Sequence, residues 1–83
     1  MRFLARIHVM LKKDVADVQG IAIQQSLKRH GEPVAEVRAG KYFEVEVEAA
    51  DEAGARQLGE RLAKDVFGNP VIEHATVEIH AIC

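Results

Sequence analysis

The chain has 83 residues, which suffices for one domain around one hydrophobic core. Hydrophobic residues make up 48% of the chain and charged residues 29%, a composition typical of a soluble globular domain rather than a disordered or fibrous protein. The 11 basic and 13 acidic residues give a net charge of −2, which argues against the strongly basic surface of a nucleic-acid or anionic-membrane binder. We therefore expect a single domain over residues 1–83, with no nucleic acid and no membrane among its partners.

The chain termini indicate the compartment. Charged residues interrupt the opening MRFLARIHVM, where a signal peptide would need an unbroken apolar stretch. The single cysteine, Cys83, is the last residue, so the chain cannot form an internal disulfide. We expect a cytoplasmic protein whose terminal thiol is frayed rather than catalytic.

A strand and then a helix are predicted for the first 31 residues. Residues 2–12 alternate in the manner of a half-buried strand, with Phe3, Ala5, Ile7, Val9 and Leu11 on one side. Over residues 14–30 the period becomes helical, and Gly31 supplies a stop. The predicted inward side of this helix consists of Val15, Val18, Ala22, Ile23, Ser26, Leu27 and His30.

Two extended segments follow the predicted helix. Residues 34–38 alternate irregularly after a proline, which favours a bulged or twisted edge strand. Ala39 and Gly40 predict a tight turn. The next strand is the clearest in the sequence, because Phe43, Val45 and Val47 alternate with Glu44, Glu46 and Glu48.

The last third of the chain predicts a second helix and a final strand. Asp51 is a good helix N-cap, and Gly68-Asn69-Pro70 ends the helix sharply. Residues 71–82 alternate again and predict a strand. The apolar stripe of the helix consists of Ala55, Leu58, Gly59, Leu62, Ala63 and Val66.

This order of elements predicts an α+β fold of the ferredoxin-like class. The order β-α-β-β-α-β gives a two-layer sandwich, with an antiparallel four-stranded sheet, the first strand central and two helices on one face. The opposite face is expected either to meet a partner or to be solvated with cross-strand Arg–Glu pairs. It would carry Leu4, Met10 and Ile72 among Arg2, Arg6, Glu44, Glu46, Glu48 and Glu78.

No residue pattern predicts a catalytic centre or a metal site. Ser26 lies on the inward side of its predicted helix and Cys83 is terminal, so neither belongs to a nucleophile motif. Gly40-Lys41 lacks the glycine-rich loop that cradles a phosphate. The glutamate stripe is more simply a solvated or ion-paired face, and no metal-ligand spacing relates the four histidines His8, His30, His74 and His80.

Three stretches, in order along nearly the whole chain, resemble the PurS family of phosphoribosylformylglycinamidine (FGAM) synthase subunits. HVMLKKDVADVQGIAIQQSL is similar to the family's opening strand and V-x-D-P-Q-G-x-A segment. VAEVRAGKYFEVEV resembles its V-x-x-V-R-x-G-K-x-x-E hairpin, and LAKDVFGNPVIEHATVEI its L-L-A-N-P-V-I-E close. Val18 stands where the family usually has proline, and Phe67-Gly68 replaces Leu-Ala, so a less rigid helix entry and a looser C-cap are expected.

The resemblance implies a non-catalytic structural subunit in de novo purine biosynthesis. The enzyme complex of the family converts formylglycinamide ribonucleotide, glutamine and ATP to the amidine. Its PurS subunits, as a homodimer or a dimer of dimers, are expected to bridge a glutaminase subunit (PurQ), which releases ammonia, and a large synthetase subunit (PurL). No cofactor is expected on PurS itself, whereas the complex uses ATP and Mg.

The resemblance also implies which residues contact partners. Among these residues, Arg38 and Lys41 flank the predicted turn in the most family-like stretch, so partner contact is favoured over ordinary exposure. Gly20 and Gly40 have a structural alternative, since a glycine also permits close packing or a positive φ. The full set is Asp17, Gln19, Gly20, Arg38, Gly40, Lys41, Glu44, Asn69, Pro70, Val71, Ile72 and Glu73.

Two other functions remain open on the residues alone. One is a small-molecule-sensing regulatory domain of ferredoxin-like fold, although KKDVADVQG lacks the glycine-rich composition expected of an effector loop. The other is a small phosphate-ester or acyl-phosphate hydrolase using Arg6 or Arg38, but neither arginine lies in a glycine-rich loop.

Overall fold

A computed structural model describes residues 1–82, so the predicted frayed thiol of Cys83 lies outside the described residues. Within them the chain forms three strands and two α-helices, and the predicted α+β class is confirmed. The elements are β1 (Arg2–Leu11), α1 (Val18–Arg29), β2 (Gly40–Glu48), α2 (Glu52–Leu62), a π-helical turn (Ala63–Phe67) and β3 (Glu73–Ile82).

The described strands form an antiparallel sheet in the order β2-β1-β3, so the prediction of a central first strand is confirmed. Ala5, for example, lies opposite Val45 on one side and Ile79 on the other. The predicted four-stranded sheet is wrong for this chain. Residues 34–38 join no ladder within it, because the chain runs from Ala39 directly into β2 instead of reversing.

The core lies between the sheet and α2. Phe3, Ala5, Ile7 and Val9 of β1 are buried, as the alternation predicts. Small residues let α2 approach the sheet closely, since a Cβ on Gly59 would lie only 3.0 Å from Val77 Cγ1. The buried residues of α2 and the π-helical turn are Ala55, Gly59 and Ala63.

The π-helical turn changes the side that the end of this helix presents to the sheet. Phe67 stacks on Phe43 of β2 with ring centroids 4.5 Å apart. Val66 is 65% exposed, so its prediction as a core residue is wrong. The extra residue in the turn carries Val66 out of the apolar stripe that a regular helix would continue.

The chain between β1 and β2, residues 12–39, forms a projection that we call the arm. In the part of the chain that the structure describes, α1 packs against no strand and not against α2. The prediction that both helices cover one face is therefore wrong. The Cα radius of gyration is 16.1 Å, against about 12 Å for a compact chain of this length, and the extents are 51 × 28 × 14 Å.

The N-terminus of α1 differs from the predicted helix over residues 14–30. Val15 N donates to Lys12 O at 2.9 Å in a turn, and the helix begins at Val18 because the Asp17 side chain caps it. Val18 is 75% exposed rather than inward. The predicted stop is confirmed, since Gly31 has φ 77° in the left-handed region that favours glycine.

The face of the sheet opposite α2 is open in this chain. Leu4 and Met10 are half-buried there. Cross-strand ion pairs join Arg2 to Glu48 and Arg6 to Glu44, each with an N–O distance of 3.6 Å. Such cross-strand Arg–Glu pairs are those expected under the second of the two alternatives for this face, in which it is solvated.

Candidate functional site

Most of the predicted contact residues lie at one end of the sheet, where β1 ends, β2 and β3 begin and the arm departs. We call this region the arm end. It contains two hydrogen-bonded centres, one at Asp17 and one at Glu73. The predicted residues found there are Asp17, Gln19, Gly20, Arg38, Gly40, Lys41, Asn69, Pro70, Val71, Ile72 and Glu73.

Asp17 is a buried carboxylate that joins the two sides of the arm. Its Oδ1 accepts from Gly20 N at 2.9 Å, which caps α1, and its Oδ2 accepts from Ala39 N at 2.8 Å. The N–H groups of Gly20 and Ala39, and then the charge of Arg38, lower the pKa of Asp17 against the opposing effect of burial. The carboxylate is therefore held ionised as a structural group.

Two predicted contact residues, Gly20 and Gly40, are glycines because the backbone is crowded. A Cβ on Gly20 would lie 2.4 Å from Asp17 Oδ2 and 2.6 Å from Val37 O. A Cβ on Gly40 would lie 2.7 Å from Val9 O and would overlap the Met10 side chain. The tight turn predicted at Ala39-Gly40 is wrong, because the chain makes no turn at Ala39 and Gly40 is the first residue of β2.

Arg38 ties the arm back to the end of β1. One of its guanidinium N–H groups donates to Leu11 O. The next residue of that strand end, Lys12, donates its N–H to Ile72 O at 2.9 Å. The Arg38 guanidinium therefore has a partner within its own chain.

Lys41 and Glu73 form the second centre of the arm end. Lys41 Nζ lies 3.1 Å from Glu73 Oε2, and the Glu73 side chain is only 13% exposed. Glu73 Oε1 accepts from Asn69 N at 2.7 Å. The Asn69 N–H, and then Lys41, lower the pKa of Glu73. This pair fixes the start of β3 against β2.

The loop before β3 is closed by hydrogen bonds to Asn69 and presents an apolar side chain. Asn69 Oδ1 accepts from Val71 N at 3.1 Å, and Asn69 O accepts from Glu73 N at 2.7 Å. These bonds form an Asx-type turn around Pro70. Val71 is left 77% exposed, and Val18 is 75% exposed on the neighbouring arm.

An open cleft of about 370 Å³ separates the arm from the Lys41–Glu73 pair. Val18 and Gln19 line it on the arm side. A second cleft of about 580 Å³ runs beside β3 and the π-helical turn, with Lys12, Lys64 and His74 among its lining residues. Within residues 1–82, no group of three or more His, Cys, Asp or Glu side chains could hold a metal ion. No helix among those residues is long and apolar enough to cross a membrane.

Glu44 is the predicted contact residue that lies apart, on the open face of the sheet. It pairs with Arg6 and accepts from Tyr42 Oη at 2.8 Å. The Tyr42 ring lies against His8, with centroids 4.6 Å apart. Desolvation, and then the bond to Glu44, raise the pKa of Tyr42.

Val18 is a site residue that the sequence prediction missed. It was assigned to the inward side of its helix, yet it is exposed beside the cleft. Asp17 was a usable signal, because it is a good N-cap residue and predicts a helix that begins at Val18 rather than at residue 14. Apolar periodicity alone gave the opposite answer.

Three comparisons relate this architecture to known proteins. A family model described as PurS: Phosphoribosylformylglycinamidine (FGAM) synthase matches residues 4–81. Phosphoribosylformylglycinamidine synthase subunit PurS of Synechocystis sp. is 41% identical over 78 residues, covering 93% of this chain and 78% of that protein.

The fold is also similar to solved structures. Thermus thermophilus PurS superposes with a TM-score of 0.87 at 32% identity, covering all of both chains. A chain of the structure of PurLQS from Thermotoga maritima gives a TM-score of 0.86 at 30% identity, covering 95% of this chain and 98% of that one. The chain therefore belongs to the PurS family of FGAM synthase subunits.

Proposed function

We propose that this chain is the non-catalytic structural subunit of an FGAM synthase in de novo purine biosynthesis. In this role it bridges a glutaminase subunit and a large synthetase subunit, so that ammonia passes between them without loss. The observation that carries the proposal is the similarity over 95% of the chain to a component of a PurLQS structure. ATP and Mg belong to the other subunits of this glutamine-dependent ligase, and the complex is cytoplasmic.

The arm end supplies the docking surface in this proposal. Asp17, Arg38, Lys41 and Glu73 are occupied by bonds within the chain, so their role is to hold the surface rigid. A rigid surface loses little conformational entropy on binding. The side chains free to enter a partner are the exposed, apolar Val18 and Val71.

The remaining predicted contact residues have separate roles in the proposal. Gln19 follows Val18 in the chain, and Pro70 and Ile72 flank Val71. In the proposal these three residues form the rim that excludes water from the two valines once a partner is bound. Gly20, Gly40 and Asn69 shape the loops that carry them. Glu44 lies on the open sheet face and would contact a different partner surface.

The assembly is measured by size-exclusion chromatography with light scattering. The chain is run alone and mixed with the synthetase and glutaminase subunits from the same source, with glutamine and ADP-Mg²⁺ present. We expect a ternary complex, and glutamine-dependent FGAM synthesis, only when this chain is added. A chain that elutes apart from both subunits overturns the proposal.

Val71→Asp tests the docking surface, with Val66→Asp as a matched control. Both valines are exposed, at 77% and 65%, so neither change should unfold the chain. Val71→Asp is expected to weaken co-elution, because it places a charge in an apolar contact. Val66→Asp is expected to assemble like the wild type, and equal behaviour of the two variants would count against this surface.

A small-molecule-sensing role is not favoured. The relatives that match most of the chain are described as FGAM synthase subunits.

A further inference from the structure

We infer that the larger cleft, beside β3 and the π-helical turn, is a binding site for a small organic phosphate. The phosphate group lies between Lys12 and Lys64, and the polar body of the ligand lies along the outer edge of β3. The inference goes beyond the proposed function, because it assigns this chain a small ligand of its own in addition to partner subunits.

The cleft has the size of a small-molecule site. Its volume is about 580 Å³, which lies within the range of about 300 to 1,000 Å³ that is common for ligand pockets. Lys64 bounds it on the side of the π-helical turn, and residues 73–77 bound it on the side of β3. A free phosphate ion would fill only a small part of this space, so the ligand that fits it is a phosphate ester.

Two lysines line the cleft without a carboxylate partner. Four ion pairs form within residues 1–82, and none of them includes Lys12 or Lys64. Glu73 also lines the cleft, but its charge is paired with Lys41 at 3.1 Å. Since the whole chain carries a net charge of −2, these two lysines make the cleft a local excess of positive charge that attracts an anion.

Lys64 is not neutralised by the acidic residue nearest to it on its own helix. Glu60 precedes Lys64 by four residues, a spacing at which two such side chains pair along a regular α-helix. No ion pair joins them within the described chain, and the helix changes from α to π at Ala63. Turns of this kind occur frequently at functional sites. Glu60 also lines the cleft and is the one charge there that opposes an anion.

Lys12 and His74 reach the cleft from the sheet. Lys12 N donates to Ile72 O at 2.9 Å, which continues the pairing of β1 with β3 beyond Leu11 and Glu73. His74 is therefore the diagonal neighbour of Lys12 on the same face, at a separation that long side chains span. An imidazole N–H thus adds a hydrogen-bond donor near the Lys12 ammonium group.

The outer edge of β3 supplies uncharged hydrogen-bonding groups beside these cations. Val77 O accepts from Arg56 Nη1 at 3.4 Å, so the backbone groups of Val77 point away from β1. Those of Ala75, two residues earlier, point the same way, and both residues line the cleft. A ligand body with donors and acceptors, such as a sugar or a nucleobase, is complementary to this edge.

Ligand binding is measured on the purified chain by an NMR titration of its backbone amides. The probes are ribose 5-phosphate, ADP without Mg²⁺, inorganic phosphate and sulfate. We expect shifts in residues 68–77 and tighter binding of one of the two esters than of either inorganic ion. The tighter ester identifies the body as a sugar or a nucleoside. No shift in these residues, or esters that bind no more tightly than the inorganic ions, overturns the inference.

Charge variants test the site in both directions. Lys12→Gln/Lys64→Gln is expected to raise the Kd of the tighter ester by about tenfold or more, because it removes two charge-assisted hydrogen bonds. Glu60→Gln should lower that Kd by about twofold, since it removes the opposing charge. All three side chains belong to exposed residues, so these variants should fold. Weaker binding by Glu60→Gln would contradict the site.

Lys28→Gln/Arg29→Gln is the matched control. It removes the same amount of charge from the last turn of α1, at exposed residues that do not line the cleft. This variant should bind the ester like the wild type. Equal weakening by the two double variants would mean that only the net charge of the chain matters, and would overturn the inference.

The outcomes for the two proposals are distinguishable. Ester binding in the cleft by a chain that elutes apart from the synthetase and glutaminase subunits retains this site and rejects the proposed function. Assembly of the ternary complex by a chain whose cleft residues respond to none of the probes does the reverse.

Discussion

Asp17 and Ala39 are 22 residues apart in the chain, yet the Asp17 carboxylate accepts the Ala39 N–H at 2.8 Å. The same carboxylate caps α1 through Gly20. One side chain therefore fixes both the departure of the helix and the return of the chain to β2. Together with the bond from Arg38 to Leu11 O, this group sets where the arm departs from the sheet.

Gly20 and Gly54 should respond oppositely to alanine. Each donates its N–H to a capping aspartate three residues earlier. A Cβ on Gly20 would lie 2.6 Å from the backbone oxygen of Val37, so Gly20→Ala is expected to lower the free energy of unfolding by about 1 to 3 kcal/mol. A Cβ on Gly54 would lie 3.2 Å from Asp51 Oδ1, a tight contact that the exposed Asp51 side chain relieves by a small shift, so Gly54→Ala should be neutral or stabilise by up to about 1 kcal/mol.

Urea unfolding at pH 7 checks this pair. Equal losses in both variants would mean that helix-start glycines are needed for the cap itself. A loss in Gly20→Ala alone would assign the requirement to the crowding of Gly20 by the Asp17 carboxylate and Val37 O.

The acid stability of the chain should depend on Asp17 and Glu73. Both pKa values are lowered from their ordinary values of 3.8 and 4.5. A carboxyl group whose pKa is lower in the folded state stabilises that state above the unfolded pKa, and this stabilisation is lost as the pH falls through the folded pKa. The urea midpoint should thus fall with decreasing pH from about 4.5 downward.

Asp17→Asn/Glu73→Gln should be less stable than the wild type at pH 7 and should lose less of its stability on acidification. Urea midpoints at pH 7 and at about pH 3 measure both effects. A variant with the full wild-type loss would show that other carboxylates control acid unfolding.

Alanine substitutions at two adjacent residues of the π-helical turn should lower the free energy of unfolding by different amounts. Phe67 stacks on Phe43 beside the core, so Phe67→Ala is expected to lower the free energy of unfolding by about 3 kcal/mol. Val66→Ala should change it by less than about 0.5 kcal/mol, because Val66 is exposed. Chemical denaturation measures both variants. A larger loss of stability for Val66→Ala than for Phe67→Ala would instead indicate the regular helix that the sequence predicted.

The titration of the Tyr42 phenol reports on its surroundings on the open face of the sheet. The chain has one tyrosine and no tryptophan, so the absorbance change of the phenolate belongs to Tyr42 alone. We expect a titration midpoint above 10.0, since desolvation and the bond to Glu44 both raise the pKa. Glu44→Gln should lower that midpoint by removing the charge. An identical midpoint in the variant would mean that the Tyr42–Glu44 bond is absent in solution.

The sequence predicted the elements whose residue pattern reflects a single contact, either with the core or with an adjacent cap residue. Alternation located β1 and β2 because each has one face on the core, and Asp51 located the start of α2 because its cap is local. The pairing of Lys41 with Glu73 could not be predicted, since it joins residues that only the sheet brings together. The family resemblance placed both among the contact residues without showing that each is the other's partner.

The arm was mispredicted for a related reason. Periodicity identifies the apolar side of α1 but not the chain against which that side packs. The irregular alternation of residues 34–38 was read as an edge strand of this chain's own sheet. The Asp17–Ala39 and Gln24–Val37 bonds, which hold this segment beside α1 instead, link residues 22 and 13 positions apart, respectively.

The central position of β1 sets an order in which the backbone should open. Residues 2–10 are paired with a neighbouring strand on both sides, whereas β2 and β3 each lie at an edge of the sheet. Each β1 amide is bonded to one of the two edge strands, so its proton exchanges when that strand detaches, whereas the outer amides of β2 and β3 have no strand partner among the described residues. The amides of α1 should exchange before those of the sheet, because this helix packs against no strand and not against α2 among the described residues.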